Sequence, residues 1–172
     1  PDNPEFFEAL NSLSNLRTTI ILGSNQKLYQ KLHGRYERIE VVGYTDQVAQ
    51  YMQKADVLLS KPGGITMFEA IYSELPMLVV CPFLQQEKKN ARFLEEQGLG
   101  KVLWDCRQDL VAQIEAFLYD SDKLQDIRAS MKQFRNGLQE DALERIMERI
   151  RAGEDRFFLP GAAAFSGSKL FK

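Results

Sequence analysis

The fold is decided by residues 55–81, ADVLLSKPGGITMFEAIYSELPMLVVC, in which two apolar runs enclose one helical segment. Residues 55–60 predict a strand that ends at the break 62–64, and residues 65–74 predict a helix with apolar positions for a core. Residues 76–81 form a continuous apolar run, which is typical of a strand covered on both faces. A strand, a helix and a second strand in this order predict a right-handed crossover between parallel strands.

The same alternation continues on both sides of this unit. Further strands are predicted at residues 18–22, 39–42 and 100–104, and further helices at 4–14, 26–34, 45–53, 87–97, 109–120 and 121–151. Strands that alternate with helices favour an α/β fold with a doubly wound parallel sheet. We expect one domain over residues 1–155, followed by a small, apolar tail without clear period over residues 156–172.

Composition excludes several classes of function. The 172 residues carry 22 Lys and Arg against 24 Asp and Glu, a net charge of −2, so we expect no nucleic-acid partner. His33 is the only histidine, which excludes a multi-histidine metal site, and we expect no catalytic role for it. The two cysteines, Cys81 and Cys106, suit neither a metal knuckle nor a disulfide scaffold, and Cys81 is expected to be a small buried hydrophobic side chain.

The sequence also bears on location. No apolar run approaches the ~18 residues of a membrane span, and no signal peptide opens the chain, so a cytoplasmic location is expected. The first residue is Pro1, which suggests a segment of a longer protein.

The chemistry is expected at the carboxyl ends of the strands, where open parallel sheets bind their ligands. Four loops rich in glycine and small polar residues follow predicted strands, at residues 23–25, 43–45, 61–64 and 82–86. Their side chains and backbone are therefore the candidates for a binding site.

The sharpest signal is the turn KPGG at residues 61–64, where a strand leads through two glycines directly into a helix. Glycines let a ligand approach bare backbone, and the free N–H groups and dipole of a helix N-terminus suit a phosphate. Thr66 adds a hydroxyl in the first helical turn. Glu69 lies on the same helix face, where its carboxylate can accept two hydrogen bonds from a ribose diol. The alternative is a tight turn without a ligand, in which Glu69 only favours the helix dipole.

A second signal follows the next strand, in the segment QQEKKN at residues 85–90. Gln86 and Glu87 open a predicted helix, and Asn90 lies one turn further on. Amides and carboxylates of this kind bind sugar hydroxyls. The alternative is a solvated helix start in which Glu87 is favourable to the dipole.

These two motifs carry a family resemblance. The segment KPGGITMFEA at residues 61–70 is similar to the K-P/A-G-G-x-T-x-x-E-A turn of glycosyltransferase family 28, and QEKKNA at residues 86–91 to its G-Q-E-x-x-N block. The order and spacing also match, and the similarity covers roughly residues 18–118. Within the family, the chain most resembles the monogalactosyldiacylglycerol synthases and the bacterial processive diacylglycerol glucosyltransferases.

The resemblance implies the C-terminal half of a GT-B fold, in which two Rossmann-like halves enclose the active site. It implies UDP-hexose as the donor substrate and a membrane lipid such as diacylglycerol as the acceptor. It also implies inversion at the sugar, with neither a cofactor nor a metal ion. The helix dipole and the glycine backbone would stabilise the leaving UDP instead.

The resemblance further implies which residues bind the donor. The glycine turn with Thr66 would hold the diphosphate, Glu69 the ribose and the backbone at residues 44–45 the uracil. Gln86, Glu87 and Asn90 would contact the hexose. The full expected set is Ser24, Tyr44, Thr45, Gly63, Gly64, Thr66, Glu69, Gln86, Glu87 and Asn90. No catalytic residue is expected in this chain.

Two departures from the family pattern stand out. Gln85 occupies the position at which the family usually has glycine, so the loop shape or the sugar preference can differ. We also expect that the family's first strand and its whole acceptor half lie outside this chain. The chain alone would then bind donor without turnover, and the complete protein would associate peripherally with the membrane through its other half.

Two other functions fit parts of the pattern. A non-catalytic subunit would bind donor and act only with a separate membrane partner chain. A UDP-sugar epimerase of similar architecture would act on the bound donor, but it needs additional histidines and carboxylates around it, which this sequence does not offer.

Overall fold

The computed structural model describes residues 4–105 and 109–137, together with the backbone of residues 156–157 and 165–166. Within these residues the helices are α1 (Pro4–Ser12), α2 (Gln26–Leu32), α3 (Val48–Lys54), α4 (Gly64–Tyr72), α5 (Gln85–Glu96), α6 (Leu110–Leu118) and α7 (Ser121–Gly137). The strands are β1 (Thr18–Ile21), β2 (Ile39–Val42), β3 (Leu58–Ser60), β4 (Met77–Val80), β5 (Gly100–Leu103), β6 (Arg156–Phe157) and β7 (Phe165–Ser166). Each element predicted up to residue 120 is present, with ends shifted by a few residues.

The C-terminal predictions are only partly covered by the described residues. The helix predicted over 121–151 is observed as α7, and residues 138–151 lie outside the described part. In the segment predicted as a tail, β6 pairs antiparallel with β7.

The strands of the α/β domain form two parallel groups. Strand β1 pairs with β2, with Thr18 opposite Ile39, and β4 pairs with β3 and with β5. The parallel direction is confirmed, but one continuous sheet is not observed. The doubly wound order of strands is 3-2-1-4-5-6, in which strand 1 lies between strands 3-2 and strands 4-5-6. Among the described residues, no strand occupies that place between the β1–β2 pair and the group of β3, β4 and β5. Consistently, Ile21 on β1 and Leu59 on β3 are exposed.

The main core surrounds β4, whose residues Met77, Leu78 and Val79 are fully buried. Helices α4, α5, α6 and α7 contribute apolar side chains to this core, so β4 is covered on both faces as its apolar run predicted. A second core joins α1, α2 and β2, and Phe6 packs against both cores. The two strand groups therefore share their helical packing although they are not hydrogen-bonded to each other in the described residues.

Two individual expectations have different outcomes. Cys81 follows β4 and is disulfide-bonded, so the expectation of a small buried hydrophobic side chain is wrong. Its backbone has a φ of 49°, and the side chain is half-buried rather than part of the core. His33 follows α2, is exposed, and stacks on the ring of Tyr29 with the ring centroids 4.7 Å apart.

The close approach of β5 to β4 requires glycine at one position. A Cβ at Gly100 would lie 2.6 Å from the Met77 carbonyl oxygen and 3.1 Å from Leu94 Cδ2. Gly100→Ala should therefore lower the free energy of unfolding by about 1–3 kcal/mol, as overpacking does. Urea denaturation measures this change. Gly43→Ala is the matched control, because a Cβ there would meet only ring carbons of Tyr29 at 3.8 Å. An equal effect of the two variants would contradict the inferred close approach.

Candidate functional site

The two motif segments lie side by side at the carboxyl ends of β3 and β4. Residues 61–63 join β3 to α4, and residues 81–84 join β4 to α5. Because β3 and β4 are paired and parallel, both segments leave the sheet at the same edge. The structure thus brings together the residues 61–69 and 85–90 that the sequence had singled out.

The turn before α4 leaves backbone donors unused. Gly63 N–H donates to the Lys61 carbonyl at 2.8 Å, and Met67 N–H makes the first α-helical bond, to the Gly63 carbonyl at 2.9 Å. No side chain caps the helix at Gly63. The N–H groups of residues 64–66 therefore have no acceptor among the described residues, and the positive end of the helix dipole lies beside them.

The fold itself does not explain the glycine pair. The backbone at Gly63 has a φ of −69°, which any residue adopts. A Cβ at Gly63 would meet only Thr66 Oγ1, at 3.9 Å, and a Cβ at Gly64 would meet nothing within 4 Å. Side chains at these positions would therefore project into open space above the turn. The glycines keep that space free, in contrast to Gly100, which the packing requires.

Helix α4 exposes the predicted polar residues and buries its other face. Met67, Ala70 and Ile71 are buried against the main core. Thr66 is half-buried in the first turn and Glu69 is exposed, and neither side chain makes a hydrogen bond within the described residues. Both remain available to a ligand that sits on the turn.

Glu87 is turned back toward the loop that precedes its own helix. Its Oε2 accepts hydrogen bonds from the N–H groups of Phe83 and Leu84, at 2.9 and 3.2 Å. Its Oε1 forms an ion pair with Lys61 Nζ at 3.3 Å. The hydrogen bond from Phe83 N–H is the main cause that lowers the pKa of the Glu87 carboxyl below its usual 4.5, and Lys61 acts in the same direction. Glu87 is therefore ionised at neutral pH.

Asn90 and Gln86 differ in their surroundings although both belong to α5. Asn90 Nδ2 donates to the Pro62 carbonyl at 2.7 Å, across 28 residues of chain. Gln86 is exposed, as is the neighbouring Gln85, and the Gln86 side chain has no hydrogen-bond partner in the described part. Helix α5 begins at Gln85, two residues earlier than predicted.

The loops after β1 and β2 carry the remaining predicted residues. Ser24 is exposed, and the next residue, Asn25, caps α2 by accepting from Leu28 N–H at 3.1 Å. The hydroxyl of Thr45 accepts from Gln47 N–H at 3.0 Å and so stabilises its own turn. Tyr44 is 81% exposed, which leaves its ring open to a flat ligand.

Lys61 is the residue that the sequence-based site did not include. It stands at the start of the glycine turn, and its ion pair with Glu87 ties that turn to α5. The lysine is part of the KPGG segment that the sequence analysis identified. A lysine beside a turn, however, has no pattern of its own that marks it as part of a binding site.

Three further observations describe the site and its surroundings. No group of three or more His, Cys, Asp or Glu residues within the described ranges could hold a metal ion. Among the described helices, none has both the length and the apolar character to cross a membrane.

A cavity of about 300 Å³ lies at the opposite edge of the sheet from the motif segments. It is lined by residues that precede β1 and β3, such as Leu16 and Asp56. None of the motif residues lines this cavity.

Known structures have the same fold. Spinosyn rhamnosyltransferase SpnG with spinosyn aglycone superposes with a TM-score of 0.64 at 18% identity, over 82% of this chain and 38% of that one. The same enzyme with thymidine diphosphate gives a TM-score of 0.59 at 16% identity, over 86% and 38%. The glycotransferase of kitacinnamycin gives 0.57 at 19% identity, over 73% and 34%. The chain has the Rossmann-like fold of the C-terminal half of a GT-B glycosyltransferase.

Sequence comparison identifies the family. A processive diacylglycerol beta-glucosyltransferase of Bacillus pumilus is 30% identical over 132 residues, which are 74% of this chain and 34% of that protein. The proteins of the same name from Bacillus cereus and Bacillus mycoides match with the same identity and coverage. The chain thus spans about a third of the length of these relatives. The model of the glycosyltransferase family 28 C-terminal domain matches residues 5–146, and the chain therefore belongs to this family.

Proposed function

We propose that this chain is the donor-binding half of a glycosyltransferase that transfers a hexose from a UDP-sugar to a membrane lipid such as diacylglycerol. The observation that carries the proposal is the turn before α4. It combines unbonded N–H groups at residues 64–66 with two glycines that the fold does not require. A diphosphate is an anion that fits against bare backbone at a helix N-terminus. The family to which the chain belongs supports a nucleotide sugar as the ligand.

The rest of the donor fits the side chains around this turn. Glu69 is exposed one turn further along α4 and can accept hydrogen bonds from both ribose hydroxyls. The uracil is assigned to the loop after β2, where Tyr44 is open, and Ser24 lies in the loop that follows the paired strand β1. The hexose is assigned to the start of α5, where Gln86 has no partner in the described residues.

Transfer in this scheme proceeds by inversion and without a metal ion. The acceptor oxygen attacks the anomeric carbon, the bond from that carbon to the phosphate oxygen breaks, and the charge develops on the leaving UDP. The N–H groups and the dipole of α4 lie where that charge would be stabilised. The base that takes the acceptor proton is assigned to the part of the protein outside this chain.

A lipid acceptor places the reaction at a membrane surface. The acceptor class comes from the relatives, whose names specify diacylglycerol. We assign membrane association to the part of the protein outside this chain, and we propose a cytoplasmic location at the inner face of the membrane. The chain alone would bind UDP and UDP-hexose without turnover.

Gly64→Ala tests the phosphate assignment. The added methyl group would occupy the space above the turn and displace the diphosphate from the α4 amides. We expect a roughly 10- to 100-fold loss of UDP affinity, comparable to losing one hydrogen bond to a charged group. Calorimetry in the presence of EDTA measures this. Stability should be unchanged or slightly higher, because no atom lies within 4 Å of the new Cβ. Undiminished UDP affinity would refute the phosphate assignment, and binding only with divalent metal would refute metal independence.

Glu69→Gln tests the ribose assignment. The substitution replaces a charged acceptor by a neutral amide at an exposed position, so UDP should bind roughly 10-fold more weakly. Inorganic diphosphate, which has no ribose, should bind with unchanged or slightly higher affinity. Glu96→Gln is the matched control, since Glu96 is an exposed carboxylate on α5. Equal losses for UDP and diphosphate would mean that Glu69 supports the turn and does not contact the ribose.

A further inference from the structure

The geometry points to Asn90 and Glu87 as positioning residues that fasten the phosphate turn to α5. This inference rests on the proposed function and adds a role within it. Both residues belong to the segment at 85–90 that was assigned to the sugar as a whole. Their contacts in the structure are directed to backbone and to Lys61, not toward open solvent.

Asn90 holds the turn by its backbone. Its Nδ2 donates to the carbonyl of Pro62, at 2.7 Å, and that carbonyl directly precedes Gly63. A carbonyl can only accept, so the amide nitrogen must face it. Pro62 is fully buried and Asn90 is half-buried, which shields this hydrogen bond from water. The bond therefore fixes the peptide from which the glycine pair begins.

Glu87 holds the same region from the other side. Both of its oxygens are occupied, one by two backbone N–H groups and the other by Lys61. Its side chain is only 13% exposed, whereas Lys61 is 77% exposed. An ion pair with so exposed a lysine contributes little by itself, so the hydrogen bonds from Phe83 and Leu84 carry most of the anchoring. These contacts hold the carboxylate against the loop and against Lys61, at the start of the phosphate turn.

The two anchors act together because they lie three residues apart on one face of α5. They reach Lys61 and Pro62, the two residues that precede the glycine pair. Loss of either anchor should release the turn and misplace the amides at residues 64–66. Gln86 is exposed and unbonded in the described part, so it has no such anchoring role.

The test compares UDP with UDP-glucose on this chain by calorimetry. Asn90→Leu removes the donor with little change in volume. We expect it to weaken the binding of UDP, which has no hexose, by about two- to tenfold, the range for one neutral hydrogen bond. UDP-glucose should bind more weakly by at least the same factor. Gln86→Ala is the matched control on the same helix, and it should weaken UDP-glucose alone.

Glu87→Gln separates positioning from simple electrostatics. Removing a negative charge near a diphosphate would by itself strengthen binding, so weaker binding of both ligands supports an anchoring role. In the absence of ligand, amide exchange at Gly63, whose N–H is bonded to Lys61, should be faster in both variants than in the wild type. A purely global structural role would lower the free energy of unfolding without lowering UDP affinity at native conditions, and it would overturn the inference.

The remaining outcomes are distinguishable. If the wild type binds UDP and Asn90→Leu weakens only UDP-glucose, Asn90 is a sugar ligand and the inference is wrong. If Asn90→Leu changes neither affinity, the inference is also wrong while the proposed function stands. If the wild type binds neither UDP nor UDP-glucose, the proposed function fails and the inference fails with it.

Discussion

The pairing of β4 with β3 on one side and β5 on the other is the constraint on which the candidate site depends. Met77, Leu78 and Val79 are fully buried, and both neighbouring strands run parallel to them. This arrangement directs the segments after β3 and β4 to one edge of the sheet. Gly100 allows β5 to approach closely enough to complete the pairing. Without this buried strand, the glycine turn and the start of α5 would have no fixed relation to each other.

The site built on that edge consists mainly of backbone. The amides that precede the first α-helical bond of α4 are held in place before any ligand arrives, because the turn is bonded internally at Gly63 and externally at Pro62. Donors fixed in advance lose little entropy when an anion binds. In the proposed function, side chains such as Glu69 and Gln86 add selectivity for the parts of a donor beyond its phosphates. The backbone would then bind the charge of the donor, and the side chains would recognise its shape.

The sequence predicted the order of strands and helices because its apolar periods are clear and its breaks contain glycine or proline. It also predicted that the two motif segments lie at one edge of the sheet, because the carboxyl ends of parallel strands meet there. Apolar periods alone could not reveal that the strands form two hydrogen-bonded groups. The one indication was the expectation, from the family resemblance, of a first strand outside this chain. The disulfide at Cys81 was not predicted, since two cysteines carry no pairing signal. The contacts of Glu87 and Asn90 with the neighbouring loops could not be predicted either. A polar residue at a helix start gives the same sequence pattern whether its side chain contacts a ligand or a loop.

The most direct test of the account follows the backbone amides of the chain by NMR during a titration with UDP. If the diphosphate binds at the turn before α4, the resonances of Gly64, Ile65 and Thr66 should shift most, also in the presence of EDTA, because their N–H groups gain the acceptors that they lack in the described structure. Smaller shifts are expected near Glu69 and Tyr44. If UDP binds and these three amides remain unperturbed while other residues shift, the diphosphate lies elsewhere and the central claim is wrong.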